Sequence, residues 1–196
     1  RDEITELWIW GGPYFGFWES NLAGPPSKVF YYNSGATTGT SCEKLLPIMG
    51  FSYEPGEDAM YHDLGHRLES TMVRAYGSNA YSPSNPWYKF GAQNSNNSGV
   101  GGCGITHYPV NTSEAYQYGS PKVVKSSCDD FLTYPNLQGT TTDVSCQTWG
   151  CSQLGFFKWM FNRMPRAEGQ TDGVYNNWWK YLLDPEGSLF TSPAPI

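Results

Sequence analysis

The chain predicts an α+β fold, a small and mostly antiparallel sheet packed on a central helix over about 57–76. Two C-terminal helices and long loops complete it. Three observations lead there. Short apolar and aromatic runs end at Gly and Pro, as strands do. One stretch, Glu57 to Tyr76, keeps a helical period. The 196 residues include 22 Gly and 14 Pro with 16% aromatics, the composition of a loop-rich chain pinned by ring packing.

Leu7 to Trp10 (LWIW) reads as a buried strand stopped by Gly11-Gly12-Pro13. Tyr14 to Ser20 (YFGFWES) reads as a strand edge or a ligand-facing loop. Lys28 to Tyr32 is a second strand, and Leu46 to Tyr53 a third that runs into the helix. Pro55, Glu57 and Asp58 suit the positive end of that helix, and Gly77 suits its C-terminal cap. Residues 78–100 form a long polar loop, a length that marks function or mobility. Lys122 to Ser126 and Gly139 to Val144 are short strands. Helices follow from Ser152 to Arg163 and from Tyr175 to Leu183.

The length suits one domain, 1–196, with a substantial core. A net charge of −6 with no Lys/Arg cluster argues against a nucleic-acid partner. No apolar run approaches the ~20 residues of a membrane span. Five cysteines at no zinc-ribbon spacing suggest a secreted protein with one or two disulfides. Cys128 with Cys146 is the best pair, worth roughly 3 kcal/mol in the chain-entropy model. Cys42 with Cys103 is a second, leaving Cys151 over. Asn96 and Asn111 are glycosylation acceptors in a eukaryotic secretory route. The chain opens at Arg1 with no signal peptide and is read as a mature or trimmed form.

The chemistry concentrates in His62-Asp63-Leu64-Gly65-His66. Two of the three histidines stand one helical turn apart, so both imidazoles leave one face. At ~100° per residue, Met60, Leu64, Leu68, Thr71, Met72 and Ala75 form the apolar arc. Asp63, Arg67, Ser70 and Arg74 form a charged, solvent-facing stripe. His62, His66 and Glu69 share the third sector with Val73 and Tyr76, so this polar trio is covered and needs partners. Two helical imidazoles plus a third ligand are the minimum open site for catalytic zinc. His107, in a Gly/Cys loop, is the natural third ligand. Glu69 is a further candidate ligand or base, and Tyr108 lines the site to stabilise developing negative charge. Glu54 is a helix-end acid or a partner to an imidazole.

His62-Asp63-Leu64-Gly65-His66 resembles the zincin metallopeptidase helix H-E-x-x-H, with aspartate in place of glutamate. The resemblance implies zinc ligands at His62 and His66, a general base at Asp63 and an extracellular peptide substrate. Aspartate is one methylene shorter than glutamate. The blocks WGGPYFGFWES, IMGFSYEPGED, GHRLES, CGITHYP and NNWWKYLLDP are similar to a family of uncharacterised secreted microbial proteins, which implies a secreted single domain.

Two other readings compete. Eight tryptophans offer stacking faces for a polysaccharide, with Trp87 in the long loop as the leading exposed one. Glycan hydrolysis would need two carboxylates, and Glu54, Glu69, Asp129 and Asp130 are available. Asp129-Asp130 is equally a turn or a weak calcium set. The third reading is a non-catalytic surface or structural protein whose His-Glu cluster fixes the core. No G-x-S-x-G elbow and no phosphate-loop lysine are present.

Overall fold

The computed structural model describes residues 4–94 and 99–190 and has an α+β fold. Contacts divide the chain into two compact units, Arg1–Arg74 with Tyr181–Ile196, and Ala75–Lys180.

In the first unit, β1 (Leu7–Gly11), β2 (Ser20–Ala23) and β3 (Leu46–Ser52) form a mixed sheet in the order β1-β3-β2. β1 runs parallel to β3 and β2 antiparallel to it. β3 alternates by period two, burying Pro47, Met49 and Phe51, as a strand with one covered face must. Helix α1 (Glu57–Tyr76) then follows, with Glu57 and Asp58 in its first turn and Gly77 at φ +59° beyond its end. That is the left-handed residue that commonly closes a helix. Leu22, Tyr32 and Leu45 make a small core, joined by Phe190 at the end of α5 (Pro185–Phe190). Glu186 of α5 accepts from Leu45 N at 2.9 Å and pairs with Lys28.

The expected strand at 28–32 does not form. Its place in the sheet is taken by β2, whose Ser20 and Asn21 side chains bond the 32–35 turn, so Tyr32 enters the core from a loop.

The second unit holds α2 (Pro86–Gly91), capped by Asn85, and a sheet of β4 (Val100–Gly101), β7 (Val124–Ser126) and β8 (Thr142–Val144). β5 (Gly104–Ile105) and β6 (Tyr108–Pro109) make a tight hairpin. Helix α3 (Gln153–Phe161) is capped by Ser152. β9 (Arg166–Thr171) and β10 (Val174–Asn177) form a second hairpin through Asp172-Gly173, both at positive φ. Consequently α4 (Trp179–Leu183) starts four residues later than the expected helix at Tyr175. Trp178 is fully buried among Trp87, Phe90, Phe131 and Tyr134.

The structure departs from three further expectations. Within the expected 78–100 loop, Pro86–Gly91 form α2, and Trp87, read as an exposed sugar platform, is 7% exposed and stacked on Phe90. The disulfides are Cys103–Cys128 and Cys146–Cys151, with Cys42 free, because the β4–β7 pairing brings Cys103 beside Cys128. Asn111 is fully buried and donates to the Ser120 and Lys122 carbonyls, so it is no glycan acceptor in the folded chain. Asn96 lies outside the described residues.

Candidate metal centre

One helical turn separates His62 from His66, and the spacing does what the sequence implies. Their Nε2 atoms face each other at 3.1 Å, with both side chains nearly buried. Two nitrogens so placed share either a proton or a cation. Ligands at about 2.0–2.1 Å on a tetrahedral ion stand roughly 3.3 Å apart, so the observed separation fits a single metal ion.

Two carboxylates flank the pair. Glu69, one turn on, lies 3.2 Å from His66 Nδ1, the ring nitrogen opposite the facing pair. There it orients the imidazole and fixes its tautomer, as outer carboxylates do for metal-bound histidine. Glu19 comes from the loop entering β2. Its two oxygens stand 3.8 Å from His62 Nε2 and 3.6 Å from His66 Nε2. The Gly50 N–H donates to the Glu19 carbonyl at 3.2 Å and Asn33 donates to its carboxylate, so its position is braced twice. Burial opposes charge on His66, but the Glu69 hydrogen bond and the charges of Glu69 and Glu19 outweigh it and raise its pKa.

Asp63, beside His62 in α1, is 4% exposed. Burial first, and the Glu19 charge second, push its carboxyl up to about 8. Arg67, read as solvent-facing, is in fact buried and bonded to Glu6. The stripe is therefore buried at Asp63 and Arg67, where Glu6 pairs with the guanidinium, while Ser70 is half-buried and Arg74 exposed.

His107 belongs to the second unit. It occupies the turn of the β5–β6 hairpin, anchored by Cys103 through its disulfide and by Cys103 N donating to Phe90 O at 2.6 Å. Gly104 permits that turn. It sits at φ +86°, and a Cβ there would meet the Tyr108 carbonyl at 2.6 Å. Tyr118 donates to the Thr106 carbonyl at 2.6 Å and Tyr116 N to the His107 carbonyl at 2.7 Å. The phenol at His107 Nε2, 3.0 Å away, is that of Tyr116. Tyr108 follows His107 in β6, half-buried. The nitrogens of His62 and His66 in the first unit, and of His107 in the second, are donors able to hold a metal ion.

Glu54 is exposed ahead of α1. Asp129 pairs with Arg163, and Asp130 accepts from Gln138 N, Gly139 N and Thr140 Oγ1 at 2.9–3.0 Å, so both acids organise the 129–140 loop.

Sequence reading missed Glu19 and Tyr116. Tyr116 had no signal in the sequence, since it reaches His107 through a loop where it holds φ +63°. Glu19 had none, since only the sheet register carries it to α1.

No protein-family model, no curated protein and no solved structure matches the chain. No helix among the described residues is long and apolar enough to cross a membrane. Two disulfides are present, as suits an oxidising compartment.

Proposed function

We propose that the protein is a secreted metal-dependent hydrolase in which His62, His66 and His107 hold a zinc ion. The observation that carries this reading is the facing Nε2 pair at 3.1 Å with carboxylates on both sides. Buried imidazoles and carboxylate oxygens are the ligand types that suit zinc. When bound, the ion supplies Lewis acidity to a carbonyl and lowers the pKa of water.

The chain's own groups divide the remaining work. Glu69 holds His66 in the tautomer whose Nε2 lone pair can face the ion. Glu19, close to both Nε2 atoms and itself about half exposed, is the carboxylate best placed to take a proton from attacking water. Asp63, which the zincin-like motif would make the base, is buried on α1, and Glu19 replaces it in this reading. Tyr116 orients His107 through Nε2, and Tyr108 stays a candidate for steadying negative charge. The motif favours a peptide substrate.

Metal content by plasma mass spectrometry, on protein without a histidine tag, tests this. Near-stoichiometric zinc is expected in the wild type and in Lys125→Ala, an exposed control. Loss is expected in His66→Ala and in His107→Ala. Zinc absent from the wild type after zinc is offered would overturn the reading. Zinc retained in His107→Ala would remove that residue from the ligand set.

A further inference from the structure

The side chains that crowd the N-terminal strap face outward. Trp8, Trp10, Tyr14, Phe15, Phe17 and Trp18 are 47–104% exposed. All six belong to the first unit, in β1 and the 12–19 loop. Six large aromatic rings left in water over one short segment mark a recognition surface rather than core.

The platform is built, not frayed. Trp8 and Trp10, two residues apart on β1, both rest on Phe51, with centroids 5.2 and 5.0 Å away. Phe15 stacks beside Phe17 at 5.5 Å. Glycines let the strap lie against the sheet. A Cβ at Gly50 would meet the Trp18 carbonyl at 2.4 Å and the Phe17 Cβ at 2.7 Å, and one at Gly11 would strike the Phe15 ring at 2.8 Å. Tyr14, at φ +59°, holds a left-handed conformation that a non-glycine residue adopts at some cost. Its ring gains no packing in return, since it is the most exposed of the six.

Charge narrows the occupant. Residues 4–27 and 48–58 contain no Lys or Arg, whereas Glu6, Glu19, Glu54, Glu57 and Asp58 lie within them. Such a face repels anionic lipid, nucleic acid and acidic glycans. Protein-docking surfaces favour Arg and Met among their aromatics. Here residues 10–18 carry neither, and flat rings dominate. Ring faces of this kind suit the C–H faces of sugar rings, which stack without charge.

We propose that this aromatic strap binds an uncharged polysaccharide. The site is separate from the buried Trp87 and does not depend on the metal reading. Through Glu19, next in sequence to Trp18, it runs to the imidazole pair, so a chain held on the rings lies beside the candidate centre.

Retention on insoluble cellulose and chitin, against the acidic polymer pectate and anionic phosphatidylglycerol vesicles, tests the proposal. The wild type should be held by cellulose or chitin and by neither anionic surface. Trp10→Ala and Trp18→Ala should each weaken retention roughly two- to thirteen-fold, the range for one aromatic contact. Tyr14→Ala, at the most exposed ring, gives a third variant with no folding liability. Lys125→Ala, the exposed control, should retain fully, and zinc content measured on the aromatic variants keeps loss of metal distinct from loss of glycan binding. No retention on either neutral polymer, or retention unchanged in all three aromatic variants, would overturn the proposal. So would vesicle binding, or a concentration-dependent dimer that the same variants abolish.

Discussion

Removing the Glu6 carboxylate should destabilise the first unit more than removing the Arg67 cation it serves. Arg67 is 1% exposed on α1, between His66 and Leu68. Its guanidinium bonds Glu6 and lies 6.0 Å over the Tyr32 ring. In Glu6→Ala the cation stays buried without its counter-charge, a loss of about 3–5 kcal/mol. The Glu6 side chain is 23% exposed, so the lower figure, about 3 kcal/mol, applies. In a chain of this length each kcal/mol moves Tm by about 2–4 °C, which gives a fall of roughly 6–12 °C. Arg67→Met removes the charge and fills most of the same space. It should cost about 1 kcal/mol, since the Glu6 carboxylate left behind can turn to water. Thermal unfolding followed by calorimetry measures both. A Glu6→Ala shift below about 3 °C, or a larger loss in Arg67→Met, would refute the reasoning.

Other perturbations have equally defined outcomes. Glu69→Gln keeps the shape but weakens the acceptor at His66 Nδ1, and zinc affinity by competition titration should drop roughly 10- to 100-fold; an unchanged affinity would mean that Glu69 does not orient the ring. Burial resists charge on Asp130, yet the Gln138, Gly139 and Thr140 donors prevail and lower its pKa. Its stabilising effect is therefore complete above an unfolded-state pKa of about 3.9 and fades as pH falls through the lower folded value. Urea midpoints of wild type and Asp130→Asn should differ at pH 7 and draw together as the pH falls below about 3.9, and a gap that widens in acid would contradict the assignment. Replacing Cys103 and Cys128 together by Ser opens a loop with a sequence separation of 25. The loss should be about 3.5 kcal/mol by chain entropy, read as a lower urea midpoint, and an unchanged midpoint would speak against the bridge.

Local rules explain what was legible in the chain. The extent of α1 follows from Glu57, Asp58 and Gly77, since end charges and a left-handed glycine act within one turn. The His62–His66 pairing is equally local, because a helix brings residues four apart onto one face whatever surrounds it. Asp172-Gly173 carried a hairpin signal of the same short range, and its neglect misplaced the start of the last helices.

What tertiary structure alone decided lies at long sequence separation. Helical periodicity put Asp63 and Arg67 on a charged stripe, but it could not know that both would be buried or that Glu6 would pair with Arg67. Tryptophan content announced aromatic packing without saying which rings face water: Trp87, expected outside, is buried, and Trp18 is among the exposed rings. Cysteine spacing left several pairings open, and the β4–β7 register chose among them. Glu19 reaches the imidazoles only because β2 pairs with β3 in one register. The sequence on its own therefore determined the helix and its two histidines, contacts that close within a single turn. The packing of distant segments determined which carboxylates attend them, because burial and charge pairing are properties of neighbours in space.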